Sequence, residues 1–208
     1  TGLKYPTVFS LAVNGSTIFA GTYGGGVYRS TDNGGNWTEV NMGLKNKTVY
    51  ALAVSGTSLY AGTDGGGVFR SIDNAESWTE INTGLTRKTV KSFAFSGTTL
   101  FAGINNGGVF RTTDNGANWT DVGLTNTTVW SLAQIGSKLI AGTTNGGYFS
   151  TDNGGNWIRI DTAALPNKPV RALAVNGATL YAGIYGERGL YSSTDIGVNW
   201  TPIVLPNL

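Results

Sequence analysis

The sequence Ser30-Thr31-Asp32-Asn33-Gly34-Gly35-Asn36-Trp37 returns, with small changes, four more times along the 208-residue chain. The further copies are 71–78, 112–119, 150–157 and 193–200, and each keeps a hydroxyl residue, an Asp and a Trp. An Asp carboxylate accepts hydrogen bonds from backbone N–H groups two or three residues further on, and Gly relieves a tight turn. This eight-residue motif therefore predicts a hairpin turn whose Trp buries its ring beneath the turn.

A calcium loop is the alternative interpretation, because Asp-Asn-Gly also opens such loops. Each copy offers a single carboxylate, however, whereas a calcium loop needs several oxygen side chains. We therefore predict no metal, no cofactor and a structural role for the Asp and Trp of every copy. These residues are Asp32, Trp37, Asp73, Trp78, Asp114, Trp119, Asp152, Trp157, Asp195 and Trp200.

The pattern Ser/Thr-x-Asp-x-Gly-x-x-Trp resembles the Asp-box, or bacterial neuraminidase repeat, of sialidases and many non-catalytic β-propellers. In that family the box joins the third and fourth strands of a propeller blade and lies away from the active site. The resemblance implies a propeller and leaves the function open. The second copy departs from the pattern, because Ala75 stands where the others have Gly.

The spacing of the repeats predicts the same architecture. A valine begins each repeat, at Val8, Val49, Val90, Val129 and Val170, and a period of about 40 residues is typical of propeller blades. Each repeat holds four short β-rich runs, in the first repeat 8–13, 17–22, 26–30 and 37–40. We predict a single all-β domain over 1–208, a five-bladed propeller of four-stranded antiparallel meanders, with blades at about 8–48, 49–89, 90–128, 129–169 and 170–208.

Composition narrows the function. The net charge is only +2 and 12% of residues are charged, which argues against a nucleic-acid partner. The chain has no Cys and no His, so thiol chemistry and the usual general base are both missing. No apolar run is long enough to span a membrane, and a monomer is expected. An extracellular or periplasmic location fits the resemblance, although no signal peptide heads this sequence.

The variable positions predict a binding face. In a meander, the loops from the fourth strand to the next blade (D–A) and from the second to the third strand (B–C) lie at one end. Residues there differ between otherwise similar repeats, and aromatic rings and cations among them suit sugars, aromatic ligands or carboxylates. Packing between blades is the alternative role for these side chains. The ligand-binding candidates are Tyr23, Tyr50, Asp64, Lys91, Asn105, Trp130, Arg171 and Tyr185.

An enzyme is not predicted. A glycosidase normally uses two carboxylates across a cleft, and outside the motifs only Asp64 and Glu187 fall on the predicted binding face, in different blades. Sialidases carry three convergent arginines, whereas Arg29, Arg70 and Arg111 repeat at one position of successive blades. We expect a non-catalytic binding or scaffold propeller, with a glycan or another protein as partner and a lectin as one candidate. The alternatives are a sialidase-like glycoside hydrolase, and an engineered or recently amplified propeller without a ligand.

Overall fold

The computed structural model describes residues 1–160, 165, 168–186 and 189–204. They form two compact units. The first unit is Thr1–Phe93 with Thr112–Thr120, and the second comprises the described residues of Ala94–Arg111 and Asp121–Leu208. Glu187 and Asp161 lie outside the described residues.

Five four-stranded antiparallel sheets make up the described chain, which contains no helix. Each sheet holds four consecutive strands, so the predicted five-bladed all-β propeller with one meander per repeat is confirmed. The strands of blades 1 and 2 are β1 (Val8–Asn14), β2 (Thr17–Thr22), β3 (Gly26–Ser30), β4 (Thr38–Glu39), β5 (Val49–Ser55), β6 (Ser58–Thr63), β7 (Val68–Ser71) and β8 (Thr79–Glu80). Blade 3 is β9 (Val90–Ser96), β10 (Thr99–Ile104), β11 (Gly108–Thr112) and β12 (Thr120–Asp121). Blades 4 and 5 are β13 (Val129–Ile135), β14 (Lys138–Thr143), β15 (Gly146–Ser150), β16 (Ile158–Arg159), β17 (Val170–Asn176), β18 (Thr179–Ile184), β19 (Gly189–Ser193) and β20 (Thr201–Ile203).

The fourth strand is shorter than the sequence predicts. In blade 2 it covers Thr79–Glu80, because the residue before it turns its backbone toward the preceding blade. The Trp78 N–H donates to the Met42 carbonyl at 2.9 Å, and the Trp119 N–H of the next motif donates to the Thr83 carbonyl at 2.8 Å. The start of this strand is thus used to join blades.

The core of the first unit lies between blades 1 and 2. Phe19 and Val27 of blade 1 pack against Val49, Leu59 and Phe69 of blade 2, and all five are buried. Blade 2 enters this contact with the face that we call the leading face of a blade. Blade 1 enters it with the opposite face, which we call the trailing face. The same pairing recurs in the second unit between blades 4 and 5, in a cluster that includes Ala133, Ile140, Val170, Leu180 and Trp200.

The eight-residue motif joins the third and fourth strands of every blade. Its Trp does more than bury a ring, since the indole N–H of Trp78 donates to the Val40 carbonyl of the preceding blade at 2.8 Å. Trp119 and Trp157 donate in the same way to Ile81 and Val122, at 2.8 and 2.7 Å. In these three copies the motif therefore clamps neighbouring blades together.

Candidate functional site

The Asp of each motif is fully engaged in its own turn. Asp32 accepts hydrogen bonds from the Ser30 hydroxyl at 2.8 Å, the Asn36 backbone N–H at 2.8 Å and the Asn36 side chain at 2.7 Å. The sequence predicts a backbone donor two or three residues after the Asp, whereas in the first motif it lies four residues on, because Asn33 and Gly34 both adopt positive φ and lengthen the turn. All five motifs have this donor, and Asp195 also accepts from the Val198 N–H, three residues on, at 3.1 Å.

These hydrogen bonds favour the ionised carboxylate. Those from Asn36, backbone first and side chain second, and then from Ser30, lower the pKa of Asp32 to about 2. The pKa values of Asp73, Asp114, Asp152 and Asp195 are lowered to about 2 by the matching bonds of their own motifs. Among the described residues, no group of three or more acidic side chains could hold a metal ion. The motifs thus present the same satisfied carboxylate five times, which leaves the other loops as the candidates for a ligand site.

A β-bulge begins the first strand in at least four blades. In blade 1 the register shifts between Val8, which pairs with Thr22, and Ser10, which pairs with Gly21, so Phe9 is the extra residue. The same shift makes Tyr50, Trp130 and Arg171 the extra residues of their strands. A bulge redirects a side chain out of the sheet pattern and is common beside binding sites.

Each of these bulges lies against the B–C loop of its own blade. The backbone N–H of Tyr23 donates to the Thr7 carbonyl at 3.0 Å, directly before the strand that contains Phe9. Asp64, Thr144 and Tyr185 make the matching bonds to Thr48, Thr128 and Pro169, at 2.9–3.1 Å. The structure therefore holds the first residue of the B–C loop next to the bulged residue, which joins the two groups of variable positions seen in the sequence.

The first cluster is formed within the first unit by Phe9, Tyr23, Tyr50, Asp64 and Lys91. The Phe9 ring centroid lies 6.1 Å from that of Tyr23, edge to face, and 5.1 Å from that of Tyr50. The Lys91 Nζ lies 3.3 Å from the Tyr50 ring centroid, over its face. Phe9 and Tyr23 are 45% and 60% exposed, so two aromatic rings of this cluster face solvent.

Asp64 brings a negative charge to the first cluster. It accepts a hydrogen bond from the Thr89 hydroxyl at 3.2 Å. Burial, followed by the charge of Asp64 and a hydrogen bond to it, raises the pKa of the Tyr50 hydroxyl. The cluster thus combines apolar rings, a cation and an exposed carboxylate that can accept hydrogen bonds.

The second cluster lies within the second unit and consists of Trp130, Thr144, Arg171 and Tyr185. The Arg171 guanidinium stacks between two rings, with its central carbon 4.0 Å from the Trp130 centroid and 4.5 Å from the Tyr185 centroid. The Trp130 indole N–H donates to the Thr144 hydroxyl at 3.2 Å, which fixes the ring. Tyr185 is 61% exposed and Arg171 is exposed as well.

Seven of the eight predicted residues therefore fall into these two clusters, and Asn105 is the exception. Asn105 accepts a hydrogen bond from the Thr128 hydroxyl at 3.1 Å. Sequence reasoning did not foresee the bulges or the stacking of the cations on the rings. A signal was nevertheless present, because Val49, Leu52 and Val54, which all contribute to the core between blades 1 and 2, are three and then two positions apart, which breaks strand alternation.

Each of the three repeating arginines has its own hydrogen-bond partner. Arg29 donates to the Asn74 carbonyl at 2.9 Å and pairs with Glu76 at 2.6 Å, both in the next motif. Arg111 donates to the Asn153 carbonyl at 3.1 Å, in the motif of the blade that follows. Arg70 instead donates to the Ser58 hydroxyl at 2.8 Å within its own blade.

No helix among the described residues is long and apolar enough to cross a membrane.

Comparison with known proteins places the chain in a family. A model of the DUF6242 β-propeller domain matches residues 68–182, which is more than half of the chain. The chain belongs to the DUF6242 β-propeller family. No curated protein sequence matches it.

Several solved structures resemble this DUF6242 propeller at identities that show the fold alone. The extracellular domain of BT4673, a hybrid two-component system protein of B. thetaiotaomicron, aligns with a TM-score of 0.78 and 22% identity over 97% of this chain and 28% of its own. The GH74 enzyme of Niastella koreensis has a TM-score of 0.75 and 20% identity, covering 95% of this chain and 38% of its own. YCF48 bound to a D1 peptide has a TM-score of 0.70 and 16% identity, with 95% and 66% covered. The chain thus spans about a third of the length of the first two.

Proposed function

We propose that this propeller is a non-catalytic binding module whose ligand is an acidic carbohydrate, bound at the first and second clusters. The observation that carries the proposal is the set of β-bulges at Phe9, Tyr50, Trp130 and Arg171. Four repeats use the same backbone irregularity to present four different side chains beside the B–C loops. Conserved geometry with variable chemistry is the arrangement expected of a recognition surface.

The chemistry of the clusters supports a charged sugar. Exposed aromatic faces such as those of Tyr23 and Tyr185 can stack on the C–H face of a sugar ring. The Arg171 guanidinium stacks on the two rings through its flat faces. A sugar carboxylate would bind the N–H groups at the edge of the guanidinium. Asp64 can accept hydrogen bonds from sugar hydroxyls. A neutral sugar would use the rings but not the cations.

The proposal of a non-catalytic role rests on the carboxylates. A glycosidase needs an acid and a second carboxylate about 5 to 10 Å apart. Among the candidate residues of the two clusters, Asp64 is the only carboxylate. The motif carboxylates are committed to turns by their hydrogen bonds, which also supports the resemblance to the Asp-box repeats of non-catalytic propellers. An extracellular or periplasmic location is proposed because BT4673, one of the structural neighbours, is an extracellular domain.

A glycan array followed by calorimetry tests the proposal, with oligogalacturonate as the acidic probe and cello-oligosaccharide as the neutral control. We expect the array to show binding of acidic glycans. Trp130→Ala or Tyr50→Ala should weaken oligogalacturonate binding at least about fivefold, because an aromatic anchor contributes more than about 1 kcal/mol. Arg171→Gln should reduce the preference for the acidic over the neutral probe.

Ile158→Ala is the matched control, because this apolar side chain is 55% exposed on strand β16 and belongs to neither cluster. The Ile158→Ala variant should bind oligogalacturonate with the same affinity as the wild type. An array without glycan hits, or hits only among neutral glycans, would refute the ligand class. Binding that survives both Trp130→Ala and Tyr50→Ala would refute the location.

A further inference from the structure

Asn-Gly pairs recur along the chain, and such a pair can modify itself. The backbone nitrogen of the glycine can attack the side-chain carbonyl carbon of the asparagine, because glycine has no Cβ to hinder the approach. A new N–C bond forms, the bond to the side-chain amide nitrogen breaks, and ammonia leaves with the proton of the backbone N–H. Water then opens the imide ring to give Asp or isoaspartate. The seven pairs begin at Asn14, Asn33, Asn106, Asn115, Asn145, Asn153 and Asn176.

Three of these pairs lie in the eight-residue motifs, where the attacking nitrogen is already engaged. The Gly34 N–H donates to the Ser30 hydroxyl at 2.9 Å. The N–H groups of Gly116 and Gly154 donate to the first hydroxyl of their own motifs at 2.9 and 2.8 Å. The asparagines of these motifs are held at φ values of 55°, 58° and 56°. The turn must therefore open before the glycine nitrogen can react.

Two further pairs lie in B–C loops and are held by threonines. The Asn106 N–H donates to the Thr128 hydroxyl at 3.0 Å. The Asn145 N–H donates to the Thr143 hydroxyl at 3.0 Å, and Gly146 lies in strand β15 opposite Thr143. Both loops therefore restrain the backbone of their asparagine.

The remaining pairs, Asn14-Gly15 and Asn176-Gly177, form the turns between the first and second strands of blades 1 and 5. Each asparagine ends the first strand of its blade. Within the part of the chain that the structure describes, neither the asparagine side chains nor the glycine N–H groups of these two pairs have a hydrogen-bond partner. A Cβ on either glycine would meet no atom within 4 Å. Both turns therefore leave the glycine nitrogen and the asparagine side chain free to meet.

This openness belongs to the turn and not to the place of blades 1 and 5 in the chain. Gly56 and Gly97 take the same position in blades 2 and 3, and a Cβ there would also meet nothing within 4 Å. Their φ values are 57° and 59°, against 60° and 58° in the two Asn-Gly turns. Blades 2 and 3 carry Ser55 and Ser96 in place of the asparagine. The turns thus share a backbone and differ in the reactive side chain.

We propose that Asn14 and Asn176 are sites of spontaneous deamidation in the folded protein, whereas the first hydroxyl of each motif protects the Asn-Gly pair that follows it. Each conversion replaces a neutral amide by a carboxylate, so conversion at both sites removes the formal net charge of +2. The isoaspartate product also adds a methylene to the backbone at the end of the first strand. This modification does not depend on the proposed ligand.

Peptide mapping by mass spectrometry, after incubation of the folded protein at mildly alkaline pH, tests the proposal against an unincubated sample. We expect Asp and isoaspartate to accumulate at Asn14 and Asn176 at least about tenfold faster than at Asn33, Asn115 and Asn153, because each motif must break a hydrogen bond and open before it reacts. Protein unfolded in urea is the control for the dipeptide itself. In that sample all seven pairs should react at similar rates.

Two variants test the two halves of the proposal. Ser55→Asn places an Asn-Gly pair on the open turn of blade 2 and should create a new site that reacts as fast as those of blades 1 and 5. Ser30→Ala removes the hydroxyl that holds the Gly34 N–H and should accelerate deamidation at Asn33. Circular dichroism should show both variants folded.

Three results would overturn the proposal. The first is an absence of modification at Asn14 and Asn176 in the folded wild type. The second is a folded wild type in which the motif asparagines react as fast as these two. The third is a Ser55→Asn chain that stays unmodified at the introduced pair.

Discussion

At the scale of single residues, the packing of a motif against the preceding blade depends on whether the fifth residue of the motif carries a methyl group. Ala75 has a φ of 68° and is fully buried in the core that also contains Val40. In the next blade Gly116 takes the matching position, and a Cβ there would collide with the Ile81 side chain. The larger Ile81 thus faces a residue without a Cβ, whereas Ala75 shares its core with the smaller Val40; Gly154 of the fourth motif also faces a valine, Val122.

Gly116→Ala should therefore lower the stability of the protein. Ala must adopt a φ near 92° and force the Ile81 side chain to move, and overpacking of this kind costs about 1–3 kcal/mol. Adding Ile81→Val should recover much of the loss, because it recreates the pairing of Val40 with Ala75. Urea denaturation of the two single variants and the double variant gives the coupling energy directly.

Gly34→Ala separates backbone strain from overpacking. Gly34 has a φ of 89°, close to that of Gly116, but the nearest atom to an added Cβ belongs to Trp37 at 3.8 Å. Its cost should be smaller than that of Gly116→Ala and should not change when Ile81→Val is added. Equal costs for the two glycine variants would show that φ alone limits this position.

At the scale of elements, the strands were predictable and the bulges were not. The period of about 40 residues and the four β-rich runs placed the five meanders, because each repeat carries its own turn residues and its own motif. The bulge depends on which strand residues pair, for example Val8 with Thr22 and Ser10 with Gly21. Pairing of this kind is a tertiary property, so the sequence could suggest Phe9 or Tyr50 as variable residues but not how they are presented.

The motif as an element has a predictable pH dependence. Hydrogen bonds from Ser71 first, and then from Ser77, lower the pKa of Asp73 in the folded protein to about 2 from an ordinary 3.8. A depressed pKa contributes stability that is complete above the ordinary value and is lost as pH falls through the folded value. The free energy of unfolding should therefore lose this contribution between about pH 4 and pH 2, and Asp73→Asn should flatten that decline.

Ile158→Ala provides the control for this titration, because it removes no titratable group and lies outside the motifs. Urea midpoints measured at several values between pH 2 and pH 7 should follow the pH dependence of the wild type for Ile158→Ala. They should fall less steeply below about pH 4 for Asp73→Asn combined with Asp152→Asn. A wild-type midpoint that does not change below pH 4 would contradict the role given to the motif carboxylates.

At the scale of the whole molecule, one kind of loop repeats its side chains from blade to blade and another kind varies them. The motifs repeat nearly the same residues and spend their polar groups on turns and on contacts between blades. The bulges and B–C loops keep their backbone and vary their side chains. Sequence comparison among the five repeats found the variable positions for this reason. It could not find the stacking of Lys91 on Tyr50 or of Arg171 on Trp130, since each joins side chains of two different blades.

The central claim is that ligands bind at the clusters and not at the motifs, and the six tryptophans test it within one experiment. Five belong to the motifs and the sixth, Trp130, belongs to the second cluster. Indole N–H signals can be followed individually by NMR in a titration with oligogalacturonate, after assignment by single Trp→Phe variants. We predict that the Trp130 signal shifts in proportion to binding while the five motif signals remain in place. Shifts at the motif tryptophans with an unchanged Trp130 signal would contradict the claim.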